Sequence, residues 1–142
     1  MTPLLDAVPF ARTLGITFTT VTADTAVAVL PDAVGLHNHV GGPHAGAMFS
    51  LAETASGAIV LAAFASHLHL ATPLTLRASI EYVKLAMGEV TATASLVRPV
   101  DAVLAELEAG GRPEFDVKIV ITNNEGVTTG EMAVTWTLRP HR

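Results

Sequence analysis

From Leu74 to Tyr82 apolar and polar residues alternate, with Leu74, Leu76, Ala78, Ile80 and Tyr82 on one side and Thr75, Arg77, Ser79 and Glu81 on the other. A period of two predicts a half-buried strand. The phase changes at Val83, where Val83, Leu85 and Met87 become the apolar set, which predicts a bulge or bend near Tyr82 in a curved sheet. Gly88 separates a second alternating run, with Val90, Ala92, Ala94 and Leu96 apolar, which the pattern carries on past Pro99. Two more strands follow, Phe115 to Ile121 and Met132 to Leu138, joined by the turn residues Asn123-Asn124-Glu125-Gly126. Near the start, Leu4 to Thr13 predicts a short helix, and the β-branched run Ile16 to Thr22 predicts a strand that forms a hairpin with Ala26 to Leu30. Pro31 ends that hairpin because proline cannot donate to a ladder.

Between the hairpin and the later strands lies a nearly uncharged stretch, Ala45 to Ala65, with Glu53 as its one ionisable side chain. It is long enough to cross a bilayer. Its Gly46, Ser50, Thr54, Ser56, Gly57 and ionised Glu53 weaken insertion, so a buried central helix is the expectation, with no membrane as partner. The element order predicts an α+β domain spanning residues 1–142, a curved antiparallel sheet wrapped around one long central helix. A helix apolar on nearly all sides needs cover beyond one sheet, and a second protomer could supply it.

The chain has 142 residues, half of them hydrophobic and 15% charged, as a folded domain requires. A net charge of −5 carries no basic footprint for nucleic acid. Without cysteine there is no disulfide, no Cys-ligated zinc and no thiol nucleophile. The N-terminus lacks the basic flank and apolar core of a signal peptide, which makes a cytoplasmic location the expectation.

Glu53 invites a functional explanation, because burial raises a carboxyl's pKa and basicity; the alternative is a paired or solvent-facing Glu. Before it, the loop from Pro31 to Pro43 and the helix start carry His37, Asn38, His39, Gly41, Gly42 and His44. Their spacing puts no ligand set on one helical face, and no metal is expected. The segment Asn38-His39-Val40-Gly41-Gly42-Pro43-His44-Ala45-Gly46, continuing to Leu51-Ala52-Glu53, resembles the hotdog-fold thioesterases. The likeness is to the branch of the phenylacetic-acid-degradation and hydroxybenzoyl-CoA thioesterases. Tyr82-Val83-Lys84 resembles a recurring strand segment of the same family.

The resemblance implies hydrolysis of an acyl-CoA thioester, with coenzyme A as part of the substrate and no separate cofactor. Glu53 would act as general base or nucleophile, and the Ala45 N–H at the helix start would polarise the thioester carbonyl. His44 would donate to or orient the thioester, or cap the helix. Asn38 would hold the acyl group or water, or else stabilise the loop backbone. Gly46, Ser56, Gly57 and Lys84 fall at substrate-binding positions. Arg77 and Arg98 are further candidates for phosphate contacts.

Two departures from the family are Ala45, where a glycine is usual, and Gly57, where related enzymes carry Ser or Thr. Ser56 or Thr54 could stand in for that hydroxyl. His44 and Glu53 lie about 13 Å apart along an ideal helix. The resemblance resolves this by making the helix start of one protomer face the acid of the other, in a homodimer or in dimers paired into a homotetramer. A hotdog-fold hydratase or dehydratase, or a non-catalytic acyl-CoA-binding protein, are the other readings.

Overall fold

The β-branched run after Gly15 forms strand β1, Thr17–Val21, which turns back into β2, Ala26–Leu30. The computed structural model describes residues 6–142, so the first part of the expected opening helix lies outside the described residues. Its later part is helix α1, Pro9–Thr13, which starts on proline, a residue whose missing N–H costs nothing at that position. The apolar stretch forms α2, Ala45–Ala63. A 3-10 turn, Ala65–His67, leads to β3, Ala71–Tyr82, followed by β4, Val90–Leu96.

Past Pro99 the expectation of a continuing strand fails. Val100–Glu108 is a helix, α3, followed by β5, Glu114–Thr122, and β6, Thr128–Pro140. Val100, Val103, Leu104 and Leu107 recur at helical spacing, with Val103 and Leu107 buried and the other two packed against the core. Proline precedes the first turn, and Gly110, with φ of +90°, ends the helix in a left-handed conformation.

All six strands pair antiparallel in the order β1-β2-β4-β5-β6-β3. Helix α2 lies mainly across β2, β4 and β5. Beneath it the strands present alanines: Ala26 opposite Ala94 and Ala28 opposite Ala92, all fully buried. Side chains this small let the helix approach closely, and Leu51, Ala52, Ala55 and Ile59 fill the layer from above. Phe64 and Phe115 close one end with ring centroids 5.1 Å apart.

Strand β3 departs most from the sequence pattern. It lies at the sheet edge and is exposed along most of its length, Leu74 and Leu76 included, so it is not half-buried within the chain. The irregularity expected near Tyr82 is present just past the end of the strand, where the Val83 and Lys84 N–H groups both donate to the Thr129 carbonyl, at 2.9 and 3.2 Å. A second one lies within the strand. Pairing with β6 is regular from Arg77 to Tyr82, and the register shifts between Thr75 and Arg77. One extra residue there sends the side chains before and after it to opposite faces, which divides the apparently continuous apolar set.

Candidate active site

The loop before α2 is held by its own side chains. The Asn38 Oδ1 accepts from the N–H groups of Val40 (3.0 Å) and Gly42 (3.1 Å), and its Nδ2 donates to the Pro43 carbonyl (3.3 Å). The backbone adds Asn38 N–H to Gly42 O at 2.8 Å and His44 N–H to Leu36 O at 2.8 Å. Asn38 therefore serves the loop with three hydrogen bonds, leaving one amide hydrogen for anything else. His37 pairs with Asp32 at 2.6 Å, while His39 is exposed. Among the described residues no three His, Asp or Glu side chains converge as a metal site would require.

His44 is the N-cap of α2, and its Nδ1 accepts the Gly46 N–H at 2.8 Å. Accepting there requires an unprotonated Nδ1, so the ring hydrogen of the neutral imidazole sits on Nε2 and stays available as a donor. The cap consumes the Gly46 N–H but not that of Ala45, which makes no hydrogen bond among the described residues. Helix starts leave such donors free beside the positive end of the dipole. The Tyr82 hydroxyl donates to the Ala45 carbonyl at 2.8 Å and ties the end of β3 to this turn. Burial raises the pKa of that hydroxyl. Lys84, two residues on, is exposed and forms no ion pair among the described residues.

Glu53 sits more than two turns into the helix, half-buried, and its carboxyl makes no hydrogen bond or ion pair among the described residues. Desolvation by burial raises its carboxyl above the ordinary value of 4.5. It borders a mostly apolar cavity of about 210 Å3 together with Phe18, Thr54, Gly57, Leu61, Pro73 and Trp136. His44 and Gly46 border a different depression, with Leu36, Ala47 and Ser50, and the two share no lining residue. Within the chain the acid and the helix start are apart.

Ser56 and Thr54 part company here. The fully buried Ser56 hydroxyl donates to the Glu53 carbonyl at 2.7 Å and accepts from the Trp136 indole N–H at 3.2 Å, so it locks helix to sheet. Thr54 lines the cavity. Trp136, the chain's one tryptophan, forms part of the cavity wall, a role the strand pattern left unread because it marks only the inward face. Phe18 was likewise read as a strand residue alone. Arg77 pairs with Glu114, and Arg98 donates to the Glu114 carbonyl at 2.8 Å and pairs with Glu106, so both are engaged structurally.

At Gly57 an added Cβ would lie 3.7 Å from the Trp136 ring, an ordinary contact. Glycine inside a helix costs about 0.5–1 kcal/mol relative to alanine. Gly57→Ala is therefore expected to raise stability by about that amount in urea denaturation, while narrowing the cavity. An unchanged or lower midpoint would mean that the Trp136 wall cannot yield the space.

No curated protein sequence matches the chain. Residues 3–138 match the family described as a domain of unknown function, DUF4442. Among solved structures, PA5026 of Pseudomonas aeruginosa, a protein of unknown function described as a probable thioesterase, superposes with a TM-score of 0.87 at 25% identity, covering 97% of this chain and 91% of that one. A thioesterase family protein from Silicibacter pomeroyi reaches 0.80 at 17% identity, covering 99% and 96%. The E. coli PaaI protein, from the phenylacetic acid degradation operon, reaches 0.76 at 18% identity, covering 96% and 88%. The protein thus belongs to the DUF4442 family and has the hotdog fold of these thioesterase-family structures, its sheet wrapped around α2.

Proposed function

We propose that the protein hydrolyses an acyl-CoA thioester, with Glu53 as the catalytic carboxylate. The observation that carries this reading is a half-buried carboxyl of raised pKa, without a partner among the described residues, on the wall of an apolar cavity. At about 210 Å3 the cavity is below the roughly 300 Å3 floor of small-molecule sites, and it suits the acyl end alone. Glu53 accepts a proton from water as the water oxygen attacks the thioester carbon. Charge then develops on the carbonyl oxygen, the C–S bond breaks, and the departing thiolate takes up the proton. In the alternative chemistry the carboxylate attacks directly, and water cleaves the resulting anhydride.

The developing oxyanion needs donors, and the open Ala45 N–H of a second copy fits that need in a homodimer. Two features support such pairing. One is the long exposed edge of β3 with its apolar Leu74 and Leu76. The other is the incompletely covered stripe Gly46, Ser50, Glu53, Gly57 and Leu61 along α2.

Assay of thiol release from short, medium, long-chain and aryl CoA esters tests the activity, and sedimentation tests the assembly. Wild type is expected to hydrolyse members of the panel and to sediment at two or four times the 14.8 kDa protomer. Leu74→Glu/Leu76→Glu is expected to sediment as a folded monomer with hydrolysis reduced about a hundredfold, the scale of losing one oxyanion donor. Full activity in that monomer would refute the shared site. Gly57 favours one other reading, since no hydroxyl stands one turn beyond Glu53. Wild type that binds the esters yet hydrolyses none would make the protein an acyl-CoA binder.

A further inference from the structure

Three of the chain's eight Lys and Arg residues, Arg112, Arg139 and Arg142, border one cavity of about 420 Å3 with Pro140 and His141. That volume falls within the range of about 300–1,000 Å3 typical of small-molecule sites. The protein as a whole carries a net charge of −5, so the concentration of cations is local. Arg12, Arg77 and Arg98 are matched with Asp6, Glu114 and Glu106 respectively. Arg112, Arg139 and Arg142 pair with no carboxylate among the described residues. The acids closest to Arg112 in sequence have other partners: Glu114 meets Arg77, and Glu108 meets His67 at 3.7 Å.

The backbone that presents these arginines is anchored. Arg139 stands opposite Thr72 in the β3–β6 ladder. Beyond it, His141 donates its backbone N–H to the Leu70 carbonyl at 2.8 Å. Its ring spans the Thr72 hydroxyl at 2.7 Å and the His69 carbonyl at 3.0 Å. On the other side, the carbonyl of Pro113, next to Arg112, accepts from the Thr137 hydroxyl at 2.8 Å. Two segments far apart in sequence are thereby held together with like charges facing one depression, an arrangement that repels itself until an anion enters.

We infer that this cavity binds a phosphate-bearing anion. The planar guanidinium forks match phosphate oxygens, and one carboxylate would neutralise only one of the three cations, whereas a diphosphate or phosphate ester carries the charge to match them. The site shares no lining residue with the Glu53 cavity, so it stands whether or not the thioesterase reading does. Two sources offer this chemistry: the phosphates of a coenzyme A ester, and free phosphorylated compounds.

Calorimetric titration of the full chain with inorganic pyrophosphate, and separately with coenzyme A, tests the site in wild type, Arg112→Ala/Arg139→Ala and Arg112→Lys/Arg139→Lys. Wild type is expected to bind pyrophosphate saturably, more weakly as salt rises. The alanine pair should weaken binding by about tenfold or more at a melting temperature no lower than that of wild type, with the lysine pair intermediate because charge remains and the fork is lost. An equal loss for coenzyme A assigns the phosphates to the thioester carrier, and a loss confined to pyrophosphate assigns them to a free compound. Absence of saturable pyrophosphate binding in wild type, or equal affinity in the alanine pair, overturns the inference.

Discussion

Glu53→Gln protein is expected to hydrolyse acyl-CoA esters about 10²–10⁴-fold more slowly than wild type, the range that a positioned general base supplies. It should also melt at a higher temperature at pH 7. The two effects share one cause, the desolvation of the carboxyl, which raises its pKa in the folded state. The folded protein then holds the Glu53 proton more tightly than the unfolded chain does. Stability from this group accordingly falls as pH rises from the ordinary value of 4.5 through the raised one, and stays lower above it. Glutamine, neutral throughout, escapes that decline, so the gain over wild type should shrink as pH falls from the raised value toward 4.5 and be absent below it.

In wild type, kcat/KM should rise with pH as Glu53 loses its proton, with an inflection above the ordinary value of 4.5. Thermal melts across pH and pH–rate profiles of the two proteins check these expectations together. Equal kcat/KM in the variant would remove Glu53 from the chemistry. Loss of activity without a gain in stability would mean that the carboxylate is compensated in the assembled protein.

Gly42→Ala is expected to be the most damaging single-methyl change in the loop before the helix. A Cβ at Gly42 would stand 2.4 Å from the Ala86 carbonyl oxygen and 2.9 Å from the Met87 sulfur. The thioether can swing aside, but the backbone carbonyl moves only if the segment after β3 moves with it. Forcing a methyl into such a contact costs about 1–3 kcal/mol or more, which lowers the melting temperature by roughly 5–10 °C for a chain of this length. Because Gly42 also donates to Asn38 and leads into His44, hydrolysis should fall as well. Neighbouring glycines calibrate the effect. Gly41 has open space but φ of +82°, so alanine there costs about 1–2 kcal/mol of backbone strain, and Gly35→Ala, with open space and no such φ, should be near neutral. If all three variants melt alike, the close approach to Ala86 is not what requires glycine at position 42.

Local pattern was enough for much of this protein. Alternation located β4, β5 and β6, β-branching located β1, and the uncharged run located α2 with its lone carboxyl. These signals need only neighbours along the chain, because a side chain's face within a strand or helix follows from its number. The same reasoning missed α3, whose helical spacing of Val100, Val103, Leu104 and Leu107 was present but was read as an extension of β4 past Pro99. It also missed the break within β3, since a bulge at Leu76 depends on how β6 pairs and not on β3 alone.

The candidate sites divide along the same line. That Glu53 stands alone in an apolar helix is legible from sequence. Which hydroxyl shares its cavity is not, because Thr54 and Ser56 differ only in what the sheet places against them, and Trp136 claims Ser56. Asn38 makes three hydrogen bonds within its loop and His44 caps the helix, contacts that only the backbone geometry reveals. The arginine cavity had no sequence signal, since Arg112 and Arg139 meet only through the pairing of β5 with β6 and the contact of Pro113 with Thr137. Sequence determined what most of the elements are and which of their side chains share a face. The tertiary structure alone decided which faces meet, because burial and hydrogen bonding act between elements whose separation along the chain carries no information about their distance in space.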